Sequence, residues 1–166
     1  MIKLIVLDVD GCLTDGKIIY GSDGSETKAF DVKDGLAIAS WLKLGHHVAI
    51  ITGRKSAIVT RRAEELGIKF LYQDIKNKAE VLREILLKLE IEPYEVAAIG
   101  DDLNDYGMLR FVGRSFTPKN GVETIQEIVN TTLTKDGGSG AVREMIDIII
   151  SENDQKEAFL SLWSEE

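Results

Sequence analysis

The sequence has one cysteine, two prolines and two histidines among its 166 residues. A single cysteine, Cys12, excludes an intrachain disulfide framework and a zinc site built on cysteines. Apolar runs are only a few residues long, as at residues 48–51, so no stretch predicts a membrane span or a membrane partner. The first residues form an apolar run without a basic segment before it, and no signal peptide is apparent. We therefore expect a cytoplasmic protein.

Positive charge is also scarce. The chain has 20 Lys and Arg against 28 Asp and Glu, which gives a net charge of −8. Binding to the backbone of a nucleic acid needs a basic face, so we expect no nucleic-acid partner. A small anion can still bind where a few local cations or a metal ion outweigh the overall charge.

The length and the residue pattern predict a single α/β domain over residues 1–166. Apolar residues make up 44% of the chain and charged residues 29%, as in ordinary globular domains. Short β-branched runs alternate with longer segments of helical period, which predicts βαβ crossovers. We expect a three-layer sandwich with a central parallel sheet, of the Rossmann-like type.

The individual elements can be read from this alternation. The predicted strands are residues 3–7, 47–51, 69–71 and 95–99. The predicted helices are residues 34–44, 57–66, 78–89, 120–129 and 141–150, with a short one after Asp102. Residues 17–20 and 26–30 flank G-S-D-G and predict a β-hairpin within residues 16–31, directly after the first strand. The tail at residues 151–166 is expected to be flexible.

Polar side chains stand at the ends of three predicted strands. Asp8 and Asp10 follow the first strand, Thr52 follows the second, and Asp101 with Asp102 follows the last. Ligands of open parallel sheets bind beyond these carboxyl ends, so the groups converge if the strands are neighbours. Carboxylates so close repel one another unless a cation lies among them. Oxygen ligands without His or Cys favour Mg²⁺.

The D-x-D pair also has a catalytic interpretation. One carboxylate can attack phosphorus to form an aspartyl-phosphate, while the other moves protons for the leaving oxygen and the attacking water. Thr52 and a lysine can hold the remaining phosphate oxygens, and Lys78, at the start of its helix, is the candidate lysine. A solvated loop pair and a solvated helix-start lysine are the structural alternatives.

Four motifs resemble, in order, those of the haloacid dehalogenase superfamily of phosphotransferases. They are D-V-D-G at residues 8–11, T-G at 52–53, Lys78, and G-D-D-L-N-D at 100–105. Within the superfamily, residues 1–150 are similar to the phosphatases of 3-deoxy-D-manno-octulosonate 8-phosphate (KDO 8-phosphate). The segments that support this resemblance are D-V-D-G-C-L-T-D-G at 8–16, K-A-F-D-V-K-D-G at 28–35, I-T-G-R-K-S at 51–56 and G-G-S-G-A-V-R-E at 137–144.

The resemblance implies a Mg²⁺-dependent phosphomonoester hydrolase that acts in lipopolysaccharide precursor synthesis. Asp8 is then the nucleophile and a metal ligand, and Asp10 is the general acid and base that also offers its backbone carbonyl to the metal. Asp101 completes the metal ligands of the protein. Thr52 and Lys78 hold the phosphoryl oxygens.

The resemblance also implies substrate contacts and an assembly. The implied substrate-binding residues are Asp10, Asp31, Val32, Lys33, Asp34, Gly35, Arg54, Lys78 and, from a neighbouring subunit, Arg62. The family has no cap domain and forms a homotetramer, in which the hairpin flap and neighbouring subunits cover each site. The glycine-rich segment before Arg143 resembles a mobile tail that visits a neighbour's site.

Other interpretations remain open at this stage. Ala39 stands where relatives carry a basic residue, and Asp74 stands where a glycine is usual. The departure at Ala39 makes a related nine-carbon ketoacid phosphate an alternative substrate, although the resemblance at Arg54 favours the eight-carbon one. A response-regulator receiver domain and a non-catalytic module of the same fold also compete. The order of the acids along the chain disfavours the first, and the intact set of acids disfavours the second.

Overall fold

A computed structural model describes residues 1–164 of the chain. Its strands are β1 (Leu4–Leu7), β2 (Ile19–Tyr20), β3 (Glu26–Thr27), β4 (His47–Ile51), β5 (Phe70–Tyr72), β6 (Val96–Ile99), β7 (Arg114–Thr117) and β8 (Thr131–Thr132). Its α-helices are α1 (Val32–Lys43), α2 (Ala57–Leu66), α3 (Lys78–Leu89), α4 (Tyr106–Phe111), α5 (Glu123–Ile128), α6 (Ala141–Glu152) and α7 (Lys156–Ser161).

Six of the strands form one parallel sheet in the order β5-β4-β1-β6-β7-β8. β1 lies between β4 and β6, and its last residue, Leu7, is paired with Ile50 on one side and Ile99 on the other. The three strands therefore end together at one edge of the sheet. This arrangement confirms the predicted α/β fold with a central parallel sheet.

Apolar side chains cover both faces of the sheet, because successive residues of a strand point to opposite sides. Ile5 and Leu7 belong to one buried cluster with Trp41 of α1. Leu4 and Val6 belong to a second cluster with Leu82 of α3. Helices α1, α2 and α6 pack on the first face, and α3, α4 and α5 on the second. The result is the predicted three-layer sandwich.

Side-chain caps explain where three long helices begin. The side chains of Asp31, Ser56 and Asn77 accept hydrogen bonds from backbone N–H groups in the first turns of α1, α2 and α3. The cap at Asp31 starts α1 at Val32, two residues before the predicted start. α2 ends at Gly67, whose φ of 78° is the left-handed conformation that glycine adopts without strain.

The hairpin directly after the first strand is present. β2 and β3 pair antiparallel, with Ile19 opposite Thr27 and Tyr20 opposite Glu26. Each strand has only two residues, fewer than the sequence predicted, and both residues of β2 are exposed. Two strands of the main sheet, β7 and β8, were not predicted, because R-S-F-T and T-T lack a long apolar run.

The segment after residue 150 contains a helix that the sequence did not predict. α6 continues to Glu152 and α7 follows, with Phe159 buried against the first apolar cluster. The indole Nε1 of Trp163 donates a hydrogen bond to Ser40 Oγ over 3.2 Å. Residues 165 and 166, which belong to the predicted tail, lie outside the described part. Within residues 1–164, no helix has both the length and the apolar character needed to cross a bilayer.

Candidate active site

A cleft of about 250 Å³ lies at the carboxyl edge of β4, β1 and β6. It is lined by Asp8, Asp10, Gly16, Thr52, Gly53, Arg54, Asp101, Asp102 and Asn104. The polar residues that the sequence placed after three separate strands therefore meet at one site. They meet because β1 is the direct neighbour of both other strands.

The turn after β1 brings its acids close to Asp101. Gly11 has a φ of 94°, and a side chain at this position would overlap the carboxylate of Asp101. Only glycine therefore permits this approach without strain. The turn is held by Thr14, whose Oγ1 accepts hydrogen bonds from the backbone N–H groups of Gly11 and Gly16 over 3.3 and 3.1 Å.

Lys78 is buried and bridges two carboxylates. Its Nζ lies 2.8 Å from Oδ1 of Asp8 and 2.6 Å from Oδ1 of Asp105. Only 2% of Lys78 is exposed, so it is not the solvated lysine that usually begins a helix. The other oxygen of Asp105 accepts a hydrogen bond from the backbone N–H of Asp101 over 2.9 Å. One connected set of charges thus joins the ends of β1 and β6 to the start of α3.

Two acids of this set, Asp8 and Asp101, are held in an environment that disfavours their charged forms. Burial, together with Asp105 and Asp101, raises the pKa of Asp8 well above its ordinary value, against the opposing effect of Lys78. Burial and then the charge of Asp105 raise the pKa of Asp101 to about 6. Burial alone would lower the pKa of Lys78, but Asp8 and Asp105 raise it above its ordinary value. Lys78 is therefore a permanent cation.

The same acids fit a hard divalent cation. Potential ligand atoms of Asp8, Cys12 and Asp101 lie within 4.8 Å of one another. Burial and then Asp8 raise the pKa of the Cys12 thiol well above its ordinary value, and sulfur is in any case a poor ligand for a hard cation. The two carboxylates are the oxygen ligands that Mg²⁺ prefers, and a cation between them would favour the charged forms that burial disfavours.

Arg54 is the basic side chain in the lining of the cleft. It follows β4, and 43% of its side chain is exposed. Its Nη2 lies 3.4 Å from the hydroxyl of Tyr20 and 3.5 Å from Oε1 of Glu26. Both partners belong to the hairpin, so the hairpin lies beside the mouth of the cleft.

The predicted substrate contacts at residues 31–35 and at Arg62 do not line this cleft. Asp31 caps α1, and the buried Asp34 accepts a hydrogen bond from the backbone N–H of Arg143 over 2.8 Å. Asp31 and Lys33 instead line a separate cleft of about 540 Å³ beside the start of α6. Val32 is exposed, and Gly35 lies against the guanidinium of Arg62. Arg62 stays on the surface of its own chain, over the ring of Phe30 at 5.6 Å. A role for Arg62 in a neighbour's site stays a prediction.

Two site residues received no role from the sequence. Asp105 is fully buried and joins Lys78 to Asp101, and its place in G-D-D-L-N-D was the available signal. Lys28 belongs to the K-A-F-D segment, and its Nζ lies 2.5 Å from Oδ1 of Asp10. Nothing in the sequence indicates that a lysine of the hairpin reaches the turn after β1.

Comparison with known proteins shows relatives that are similar over most of the chain. Residues 70–146 match the family of haloacid dehalogenase-like hydrolases. The 3-deoxy-D-manno-octulosonate 8-phosphate phosphatase of Escherichia coli K12 is 42% identical over 149 residues, which are 90% of this chain and 79% of that protein. Its counterpart from Yersinia pestis is 38% identical over 161 residues, covering 97% and 86% of the two chains.

Solved structures are similar over nearly the whole chain. The Moraxella catarrhalis 3-deoxy-D-manno-octulosonate 8-phosphate phosphatase superimposes with a TM-score of 0.94 at 44% identity, covering 98% of this chain and 94% of that one. That structure was solved with a magnesium ion, a phosphate ion and a KDO molecule. The structure of the Yersinia pestis phosphatase superimposes with a TM-score of 0.92 at 39% identity and covers 94% and 84%.

Proposed function

This chain belongs to the 3-deoxy-D-manno-octulosonate 8-phosphate phosphatase family of haloacid dehalogenase-like hydrolases, and we propose that it releases phosphate from that eight-carbon sugar acid. The observation that carries the proposal is the buried contact of Lys78 with Asp8, at the edge of the sheet where Asp101 also lies. The reaction is the hydrolysis of a phosphomonoester, and its proposed place is lipopolysaccharide precursor synthesis.

Asp8 is the proposed nucleophile. Its carboxylate attacks phosphorus, the bond from phosphorus to the sugar oxygen breaks, and an aspartyl-phosphate forms on Asp8. The ammonium group of Lys78, 2.8 Å away, favours the charged form of this buried carboxylate. The same ammonium, with the hydroxyl of Thr52, is suited to hold the phosphoryl oxygens.

Asp10 is the proposed proton carrier. It lines the same cleft as Asp8, and 20% of its side chain is exposed. It gives its proton to the sugar oxygen as that oxygen leaves, and then takes a proton from the water that attacks the aspartyl-phosphate. One carboxyl group can serve both steps because the first step leaves it in the basic form that the second one needs.

Mg²⁺ is the proposed cofactor. Asp8, Asp101 and the backbone carbonyl of Asp10 are the groups of the chain that would hold it. When bound, the ion neutralises the repulsion between the nucleophile and the phosphate and stabilises the charge that develops on the transferred group.

Arg54 supports a sugar phosphate that carries a carboxylate as substrate. The chain has a net charge of −8, so a substrate with a phosphate and a carboxylate needs local cations at the site. Arg54 is half-exposed at the cleft, and a guanidinium can bind a carboxylate through two parallel hydrogen bonds. A nine-carbon ketoacid phosphate is the alternative substrate. Ala39, which departs from the family pattern, lies in α1 and does not line the cleft.

The proposed assembly is a homotetramer whose sites are covered by the hairpin and by neighbouring subunits. Support comes from apolar side chains near the carboxyl edge of the sheet. Ile19, Tyr20, Val32 and Leu103 are 54%, 68%, 78% and 62% exposed. Contact with a second copy would remove these side chains from water. The proposed location is the cytoplasm, which suits a chain with a single cysteine.

The direct test is phosphate release from the two ketoacid phosphates, measured as kcat/KM. We expect a preference for the eight-carbon substrate, loss of activity with EDTA, and recovery when Mg²⁺ is added back. Replacement of Asp10 by Asn should lower kcat by about 10²-fold to 10⁴-fold, the usual contribution of general acid catalysis. A preference for the nine-carbon substrate would overturn the assignment of the sugar, and full activity after exhaustive chelation would overturn the metal site.

A further inference from the structure

Lys28 is a lysine of the hairpin whose side chain has no exposed surface. Its Nζ lies 2.5 Å from Oδ1 of Asp10 and 3.4 Å from Oε1 of Glu26. An ammonium group is rarely removed from water without charged partners, because the loss of hydration is costly. Asp10 and Glu26 are those partners. The hairpin therefore carries a buried cation into contact with the turn after β1.

The contact with Lys28 fixes one oxygen of the Asp10 carboxylate. Within residues 1–164, Lys28 is the only group that donates a hydrogen bond to the carboxylate of Asp10. The remainder of that side chain faces the cleft, where it is partly exposed. A partly exposed carboxylate with one fixed oxygen is held in one orientation, and its second oxygen, Oδ2, is left without a protein donor.

We propose that Lys28 is a positioning residue, which orients Asp10 for proton transfer to the leaving oxygen of the substrate. The inference rests on the proposed function, because it assigns the proton transfer to Asp10. Lys28 holds Oδ1 and transfers no proton itself. Oδ2 carries the transferred proton, and that proton passes to the ester oxygen as its bond to phosphorus breaks.

The leaving group decides how much this orientation matters. A nitrophenolate is stable as an anion and leaves without a proton, whereas a poor leaving group needs one. Loss of Lys28 should therefore slow the hydrolysis of esters with basic leaving groups and spare those with acidic ones. A residue that only stabilised the hairpin would not change the enzyme's dependence on the leaving group.

The test uses the full chain with Mg²⁺ and a series of phenyl phosphates of similar size: 4-nitrophenyl, phenyl and 4-methoxyphenyl phosphate. The measured quantity is kcat/KM, because it reports the steps up to departure of the phenol. For Lys28→Met we expect a loss of about 10-fold to 100-fold with 4-methoxyphenyl phosphate and of about threefold or less with 4-nitrophenyl phosphate. Lys28→Arg, which keeps the charge, should recover part of the loss.

Lys17→Met is the matched control, since Lys17 is an exposed lysine of the same hairpin segment. It should leave the dependence on the leaving group unchanged. If Lys28→Met does not fold by circular dichroism, Lys28→Gln is measured in its place. Equal losses across the series would overturn the inference. The proposed function would still stand in that case, because the role of Asp10 is tested separately: Asp10→Asn should show a steep dependence on the leaving group. If Asp10→Asn shows no such dependence, the proposed proton carrier is itself wrong.

Discussion

The ammonium group of Lys78 lies 2.6 Å from Oδ1 of Asp105, and each side chain is at most 1% exposed. Asp105 does not line the cleft, yet its second oxygen also accepts a hydrogen bond from the backbone of Asp101. The carboxylate of Asp105, which lies behind the cleft, therefore fixes Lys78, the ion-pair partner of Asp8. It also fixes the backbone of Asp101. The arrangement is a support for the site, and it makes Asp105 important for both stability and activity.

Asp105→Asn should lower the free energy of unfolding by about 3–5 kcal/mol, because it leaves the buried cation of Lys78 with one carboxylate instead of two. Activity should fall as well, since Lys78 would no longer be held between its partners. Urea unfolding and phosphate release measure the two effects. Asp154→Asn, at an exposed position, is the control and should change stability little. If Asp105→Asn had the same free energy of unfolding as wild type, the contact between Lys78 and Asp105 would contribute nothing to stability.

Asp8→Asn should abolish turnover and preserve the fold. The amide has the volume of the carboxylate, but it cannot attack phosphorus, so kcat should fall by a factor of about 10⁴ or more. Circular dichroism checks the fold, and phosphate release checks the activity. The covalent mechanism would be refuted by a folded Asp8→Asn protein with near-normal turnover.

Arg54→Ala separates recognition of the sugar acid from phosphoryl chemistry. If Arg54 binds the carboxylate, kcat/KM for 3-deoxy-D-manno-octulosonate 8-phosphate should fall by about 10-fold to 100-fold, the value of a charged hydrogen bond. Hydrolysis of 4-nitrophenyl phosphate, which has no carboxylate, should change little. Lys55→Ala, at the exposed neighbouring position, is the matched control. Equal losses on both substrates would mean that Arg54 serves only to hold Tyr20 and Glu26.

Asp34 should make the stability of the protein depend on pH. Burial raises its pKa in the folded protein to about 6 from the ordinary 3.8. The folded state then binds this proton more tightly than the unfolded state, so the free energy of unfolding falls as pH rises from about 4 to 6. Asp34→Asn should therefore gain stability relative to wild type, by up to about 2–3 kcal/mol, between pH 4.5 and pH 7.5.

Urea unfolding of wild type and Asp34→Asn at the two pH values measures this gain. The comparison removes the contributions of Asp8 and Asp101, because both proteins share them. Asp136→Asn, at an exposed position, is the control. The prediction would be contradicted if the free energies of unfolding of wild type and Asp34→Asn differed by the same amount at both pH values.

Much of the central sheet could be predicted from the sequence, because each long strand is a continuous apolar run that ends in a polar residue. The same rule located Asp8, Thr52 and Asp101 at one edge. The short outer strands could not be predicted, since β8 has only two residues and its pairing with β7 is a long-range contact. The packed helix α7 was missed for a related reason. Its six residues bury one large side chain, Phe159, which leaves little periodicity to detect.

The parts of the site that sequence reasoning missed are contacts between distant residues. Lys28 and Asp10 are 18 positions apart, and Lys78 and Asp105 are 27 apart. No local pattern shows that a given lysine is buried or which acid it meets. Such pairs form only where the hairpin and α3 pack against the sheet, and no local sequence pattern shows that packing.

The position of the site at three neighbouring strands separates the groups anchored in the core from the hairpin beside them. The groups proposed for phosphoryl transfer lie at the ends of β1, β4 and β6 and at the start of α3, all anchored in the two buried apolar clusters. The hairpin has two exposed residues in β2 and short strands, so few core contacts constrain it. Under the proposed function, in which the hairpin covers the site, we expect exchanges there to alter which phosphate esters are accepted while the sheet stays unchanged. A library of hairpin sequences on this scaffold, with Lys28 retained, is therefore a direct route to phosphatases with new substrate preferences.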